Sequence, residues 1–227
     1  MRSLLASLLL MLLVSSAALA ADRSDEVKRL QRSTDVLQEI MKAPDKGIPQ
    51  DLLDKAACIV VVPGLKKGGI GVGGKYGKGE VMCRKSDKSW SAPLFITIEG
   101  GSVGLQLGFT SIDLVMLVMN KKGMDKLIAD KFTIGADASA AAGPVGRQTS
   151  ASTNVRMDAE ILTYSRAKGL FAGISLDGAT LRPDKDDNRE FYGKDFDPQK
   201  VINGDVPMPP EARPLASALS WQSPSKK

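Results

Sequence analysis

Hydrophobic positions along the chain fall into two textures. Between residues 24 and 42, Val27, Leu30, Thr34, Leu37 and Met41 recur at alternating spacings of three and four, with Val36 and Ile40 widening the stripe. That period predicts an amphipathic helix, with Lys28, Arg29, Arg32 and Glu39 on its other faces. A stop follows at Pro44-Asp45-Lys46-Gly47, and Pro49 suits the first turn of a second, short helix through about Lys55.

From Ala57 the pattern becomes β-branched and Gly-rich, broken by turn residues. Strands are expected at 59–62, 68–76, 80–84 (after a turn at Gly77-Lys78-Gly79), 94–98, 103–109 and 112–119, then at 132–138, 153–164 and 170–181 beyond a short helix at 121–130. Short strands at this spacing predict a mainly β chain of the α+β class. Its centre would be a Gly-rich antiparallel sandwich or barrel-like sheet, with an N-terminal helical hairpin and short peripheral helices. Glycines inside strands lower propensity but permit curvature and close backbone approach. Two short helical pieces follow near Arg189 and Pro198, then a Pro-rich tail with Pro207, Pro209, Pro210 and Pro214, and disorder is expected beyond about Leu219.

The first 20 residues stand apart. Arg2, an apolar run at 4–14 and Ala18-Leu19-Ala20 match the three regions of a cleavable secretory signal peptide. The run is shorter than the roughly 20 residues that span a bilayer. The expected organisation is a signal peptide at 1–20, a helical region at 21–56, a β-rich core at 57–193 and a Pro-rich tail at 194–227, in a chain exported to the periplasm or secreted.

Composition then narrows the chemistry. The chain carries a formal net charge of +5 and 5% aromatic residues, which hints at anionic partners but not at nucleic acid. It has no histidine, which excludes Ser-His-Asp and Cys-His catalysis and zinc sites built on imidazole. Cys58 and Cys83 are its only thiols. In an exported protein they read first as one disulfide and otherwise as two buried free thiols, since a redox pair is usually the close C-x-x-C.

Each candidate motif also has a plainer role. Gly69-Ile-Gly71-Val-Gly-Gly74 fits GxGxxG, but dinucleotide binding requires a helix opening at the third glycine, and turn chemistry follows instead. Lys66, Lys67, Lys75 and Lys78 bracket this segment and form either a phosphate-holding basic cluster or a solvated pair of loops. Asp113, Asp137, Asp158 and Glu160 lack a spacing that singles out an acid/base pair, and Ser139, Ser150 and Ser152 lack a G-x-S-x-G setting. No enzyme, cofactor or metal site is expected.

Several blocks in order then resemble the SYLF family: Gly74-Lys-Tyr-Gly77-Lys-Gly79, Trp90-Ser-Ala-Pro93, Gly100-Gly-Ser-Val-Gly104-Leu-Gln106-Leu-Gly108, Lys131-Phe-Thr-Ile-Gly135-Ala-Asp137, Tyr164-Ser-Arg166-Ala-Lys168-Gly169-Leu-Phe171-Ala-Gly173, and Asn188-Arg-Glu-Phe191-Tyr192-Gly193. The resemblance covers about residues 27–193. It implies binding of anionic phospholipid or a membrane surface, as eukaryotic members bind phosphoinositides and some bind actin filaments. Actin is not an expected partner of an exported chain. The family's basic N-terminal region falls on Lys28, Arg29 and Arg32, which join Lys66, Lys67, Lys75 and Lys78 as candidate lipid-binding residues. The alternative is a structural envelope protein that binds a protein or glycan partner without catalysis.

Overall fold

In the computed structural model the described residues are 23–42, 47–70, 72–103, 108–128, 131–144, 159–167, 170–193 and 196–222. The expected signal peptide, most of the stop at 44–47, the middle of the strand expected at 103–109 and the first part of that expected at 153–164 lie outside them, as do Ser150, Ser152 and Asp158.

The apolar stripe forms helix α1 (Ser24–Met41), which buries Leu30, Val36, Leu37 and Ile40, and α2 (Gln50–Lys55) follows with Leu52 and Leu53 buried. The strands are β1 (Cys58–Ile70), β2 (Val72–Cys83), β3 (Leu94–Val103), β4 (Gly108–Val118), β5 (Phe132–Thr133), β6 (Ala140–Ala142), β7 (Ile161–Ala167), β8 (Leu170–Gly173) and β9 (Thr180–Pro183). Among the described residues they make one curled sheet in the order β5-β9-β3-β2-β1-β4-β7-β6, with β8 also on β7. Every pairing is antiparallel except β6 with β7. The barrel-like expectation therefore holds, as a half-barrel rather than two stacked sheets.

Three strands expected between 59 and 84 are two long ones. Gly77 and Gly79, read as a turn, lie inside β2 because β1 carries a bulge between Val62 and Leu65 that crowds its neighbour. A Cβ on Gly79 would lie 2.1 Å from the Val61 carbonyl oxygen, and one on Gly77 would lie 2.8 Å from both Val62 Cγ1 and Leu65 Cδ1. Bulges insert one residue and bend the strand. Here Gly64 takes φ +68° and its N–H donates to Asp113 Oδ1 at 3.0 Å.

Side-chain alternation gives the sheet two apolar faces. On one, Ile59, Val61, Met82, Phe95, Val115, Leu117 and Tyr164 pack under α1 and α2. On the opposite face, Val60, Val62, Leu65, Ile96, Leu114 and Met116 pack against Phe132, Leu176 and Ala179. Cys58 and Cys83 face each other across β1 and β2 and are joined as a disulfide. In the chain-entropy account, closing a loop of that size adds about 3 kcal/mol of stability.

Helix α3 (Lys121–Leu127) lies between β4 and β5, as expected. The two helical pieces expected near Arg189 and Pro198 are α4 (Lys185–Tyr192) and α5 (Pro198–Asn203), and a 3-10 turn (Pro210–Ala212) and α6 (Arg213–Gln222) follow in the Pro-rich segment. Val201 and Ile202 enter the core of the opposite face, and Ala212, Leu215 and Leu219 enter that under α1. Helix α6 thus runs past Leu219, where order was expected to end. Among the described residues no helix is long and apolar enough to cross a membrane.

Candidate functional site

Strand pairing assigns each candidate lysine to a face, because residues directly opposite one another share one. Lys66 lies opposite Tyr76, and Lys67 opposite Lys75. With the alternation along β2, this places Lys66, Tyr76 and Lys78 on the α1 face and Lys67 and Lys75 on the other. The four lysines are not one cluster. They divide two and two because β2 is continuous through 77–79, so side chains at 75 and 78 point to opposite sides.

Their environments differ as well. Lys66 is exposed and Lys67 half-buried. Lys75 is buried, and burial together with the neighbouring Lys67 charge pushes its pKa down. Lys78 is turned inward, where its Nζ bridges Asp184 Oδ2 at 2.9 Å and Asp187 Oδ1 at 2.7 Å. Burial works against its charged form, but these two carboxylates outweigh burial and raise its pKa. In α1, Lys28 and Arg32 remain at the surface, whereas Arg29 is buried, donating to Asp187 Oδ2 at 2.6 Å with its guanidinium 5.5 Å from the Phe95 ring centre.

Arg29, Asp187, Lys78 and Asp184 therefore form a chain of charges between α1, β2 and the head of α4. Thr97 closes it by donating to Asp184 Oδ2 at 2.7 Å. Burial acts to raise the Asp184 pKa, but the Thr97 and Lys78 hydrogen bonds hold it below the ordinary value. Asp184 also caps α4 through the Asp187 N–H. This arrangement ties helices to sheet, and it removes Arg29 and Lys78 from the freely accessible basic residues.

At the outer, Gly-rich end of β1, β2 and β4, the α1 face carries exposed side chains at Lys66, Tyr76 and Phe109. Gly68 lies opposite both Gly74 and Phe109. The Phe109 ring lies over Gly68, where a Cβ would come within 2.3 Å of Phe109 Cδ1, and Phe109 is 94% exposed. Tyr76, 48% exposed, and Lys66 stand in the adjacent row. Sequence patterning missed Phe109. Its only signal is an aromatic residue after Gly108, and its exposure depends on a pairing with Gly68 that no local pattern encodes.

Beside Tyr76 a polar cleft of about 430 Å³ opens between β2, β3, β9 and the head of α4, lined by Lys78, Thr97, Arg182, Asp184 and Arg189 among others. Of the carboxylates considered for acid/base chemistry, the described ones lie outside this cleft, each with its own partners. Asp113 pairs with Arg166 at 2.6 Å, and Arg166 also meets Glu39 of α1. Asp137 accepts from the Thr133 N–H at 2.6 Å. Glu160 pairs with Lys126 at 3.4 Å and accepts from the Ser139 N–H at 3.1 Å. Gly74 lies within β2, so no helix opens at the GxGxxG segment.

The sequence has relatives among known proteins. Residues 99–221 match the Ysc84 family model, described as Las17-binding protein actin regulator. The chain is 33% identical over 203 residues to the SH3 domain-containing YSC84-like protein 1 of Rattus norvegicus, covering 89% of this chain and 59% of that protein. Against the protein of the same name from Homo sapiens it is 32% identical over 202 residues, covering 88% and 58%. The LAS seventeen-binding protein 3 of Saccharomyces cerevisiae is 32% identical over 179 residues, covering 77% and 39%. The chain thus spans less than two thirds of the length of these relatives. With the matching model covering more than half of the sequence, the chain belongs to the Ysc84, or SYLF-domain, family.

Proposed function

We propose that this chain is an exported, non-catalytic binding module that docks peripherally on anionic phospholipid surfaces through the Gly-rich outer end of β1, β2 and β4. The observation that carries the reading is Phe109, held outside any core over Gly68, with Lys66 on the same face and Lys67 next to it in β1. Burying a phenylalanine side chain among acyl chains is worth about 2 kcal/mol, and each lysine near an anionic surface adds about 1 kcal/mol. The total suits weak, reversible docking rather than permanent anchoring. Lys28 and Arg32 on α1 supply further positive charge. Export is supported by the leader pattern at 1–20 and agrees with the Cys58–Cys83 disulfide, a bond typical of oxidising compartments. Relatives named for binding Las17 and for actin regulation support a binding role over a reaction. For an exported chain, a lipid surface is the partner these residues fit.

Cosedimentation with phosphatidylglycerol or cardiolipin vesicles at low salt tests the reading. The wild type binds, Phe109→Ser weakens partitioning by about tenfold or more, and Lys66→Glu with Lys67→Glu abolishes it. Equal binding by Phe109→Ser and wild type sinks the docking surface. Export is checked by the mass of the mature protein, which should begin at Ala21.

A second reading, a structural envelope protein with a protein partner, is favoured by one observation. A groove between α1 and α6 holds Met41, Pro214 and Ala218 beside Trp221, which is 85% exposed. Absence of wild-type binding to any anionic vesicle at low salt would select it.

A further inference from the structure

We infer that Lys75 is a nucleophilic lysine that captures small oxo acids, aldehydes that also carry a carboxylate, as an imine, with Lys67 holding the carboxylate. This capture needs no membrane and is independent of lipid docking.

The placement of Lys75 sets it apart from the other lysines. Alternation along β2 turns it to the face opposite α1, where Lys67 of β1 is its partner on one side and Gly100 of β3 its partner on the other. Along β2 itself, the positions two residues away on that face are Gly73 and Gly77. Lys67 thus supplies the only side chain at the positions flanking Lys75. The space over the glycines is filled from elsewhere. A Cβ on Gly100 would lie 2.9 Å from Ala179 Cα, and one on Gly77 would lie 2.8 Å from Leu65 Cδ1. Ala179 and Leu65 belong to the core of this face, which leaves Lys75 at the margin of an apolar region, 8% exposed.

Charge then decides its state. A buried ammonium is normally paired, yet among the described residues Lys75 makes neither a hydrogen bond nor an ion pair. The charged groups that face it are Lys67 and Asp177. Gly100 brings no charge from β3, and Thr110, opposite Lys67 on β4, brings none either. Asp177 lies between β8 and β9 and accepts from the Ser175 hydroxyl at 2.7 Å. Burial and the Lys67 charge push the Lys75 pKa down against the opposing pull of Asp177. Desolvation beside a second cation is what frees a lysine amine to attack a carbonyl.

The step balances with the aldehyde alone. The free amine adds to the aldehyde carbon and one nitrogen proton passes to the oxygen. The C–O bond then breaks with loss of one water, leaving a C=N bond. Across the strand pair, where facing Cβ atoms lie about 5 Å apart, the Lys67 ammonium meets the carboxylate of the same small molecule.

The test uses the full chain without lipid. Glyoxylate and acetaldehyde are each supplied with cyanoborohydride, which reduces the imine to a stable secondary amine, and the modified lysines are mapped and quantified by peptide mass spectrometry over a neutral-to-alkaline pH series. With glyoxylate near neutral pH, Lys75 should be modified several-fold faster than the exposed Lys66, and the ratio should shrink as pH rises. The same ratio should be smaller with acetaldehyde, which offers no carboxylate. Lys67→Met removes both the neighbouring charge and the carboxylate partner, so modification of Lys75 near neutral pH should slow and the preference for glyoxylate should vanish. The comparison of Lys75 with Lys66 in the wild type stands even where Lys67→Met does not fold. Modification of wild-type Lys75 no faster than Lys66, or a glyoxylate preference unchanged in folded Lys67→Met, overturns the inference. Neither result bears on vesicle docking, which Phe109→Ser reads separately.

Discussion

At the scale of single residues, Glu80 and Gly79 are neighbours with different constraints. Glu80 is 1% exposed beneath α1, and neither carboxylate oxygen has a hydrogen-bond partner, while the buried Ser33 hydroxyl nearby is also unsatisfied. Burial pushes the Glu80 pKa up to about 8, against smaller opposing effects from Ser33, Arg29 and Arg32. The folded state therefore keeps a proton that the unfolded chain releases near pH 4.5. The contribution is whole below that pH and is lost as pH rises to about 8, a fall on the order of 5 kcal/mol. Denaturant titrations should show Glu80→Gln more stable than wild type at pH 8 and nearly level with it at pH 4; a wild type as stable at pH 8 as at pH 5 would contradict a neutral buried carboxyl. At Gly79 the limit is space. A methyl there meets the Val61 carbonyl, so Gly79→Ala should lower stability by about 1–3 kcal/mol. Gly74→Ala is the control, since its nearest neighbour is 3.9 Å away. Similar melting temperatures for the two variants would show that β1 yields at the bulge.

Between elements, a side-chain amide reinforces the join of α4 to β3. Strand β9 ends its pairing with β3 at Ile96 and Pro183, and beyond it the Asp184 N–H donates to the Phe95 carbonyl at 3.0 Å. Asn188 supplies the remaining contacts. Its Oδ1 accepts from the Phe95 N–H at 3.0 Å, and its Nδ2 donates to the carbonyl oxygens of Phe95 and Asp184, both at 2.7 Å. The side chain thus continues the ladder by one rung, and the Phe191 ring beside it packs edge-on to Phe95 at 4.9 Å. Truncation by Asn188→Ala takes the acceptor from the buried Phe95 N–H and should cost about 1–3 kcal/mol. The check is the urea midpoint, with Asn188→Asp, which retains an acceptor but not the amide donors, also below wild type. A midpoint unchanged in Asn188→Ala would mean that water replaces the amide. The final motif block of the family is intelligible in these terms, with its Asn pairing the sheet edge and its Phe and Tyr filling the space behind.

Across the whole molecule, legibility followed the range of the interaction. Helix α1 was readable because Leu30, Leu37 and Ile40 repeat within their own segment, and the disulfide because the sequence has only two cysteines to pair. Contacts over long sequence separations left no such trace. Arg29 and Asp187 are 158 positions apart, so a basic residue on a helix read as a surface charge when it is a buried partner. Gly77 and Gly79 were ambiguous for a physical reason, since glycine answers both to a turn and to a crowded neighbouring strand. Taking the turn broke β2 in two and made four lysines look like one patch. The last helix was missed although Ala212, Leu215 and Leu219 already hold helical spacing, because Pro207, Pro209, Pro210 and Pro214 hide it. The bulge that caused the misreading of β2 also bears on descent. It adds one residue to β1 without displacing the outer end, since β4 advances from Leu114 to Ile112 while β1 advances from Val62 to Leu65. A homologue one residue shorter here would keep the same outer end but would need no glycine at the position of Gly79, whereas Asp113 would keep its Arg166 partner. Gly64 and Gly79 should accordingly be gained and lost together across the family, a correlated pair recorded in an alignment as a single-residue gap with one substitution.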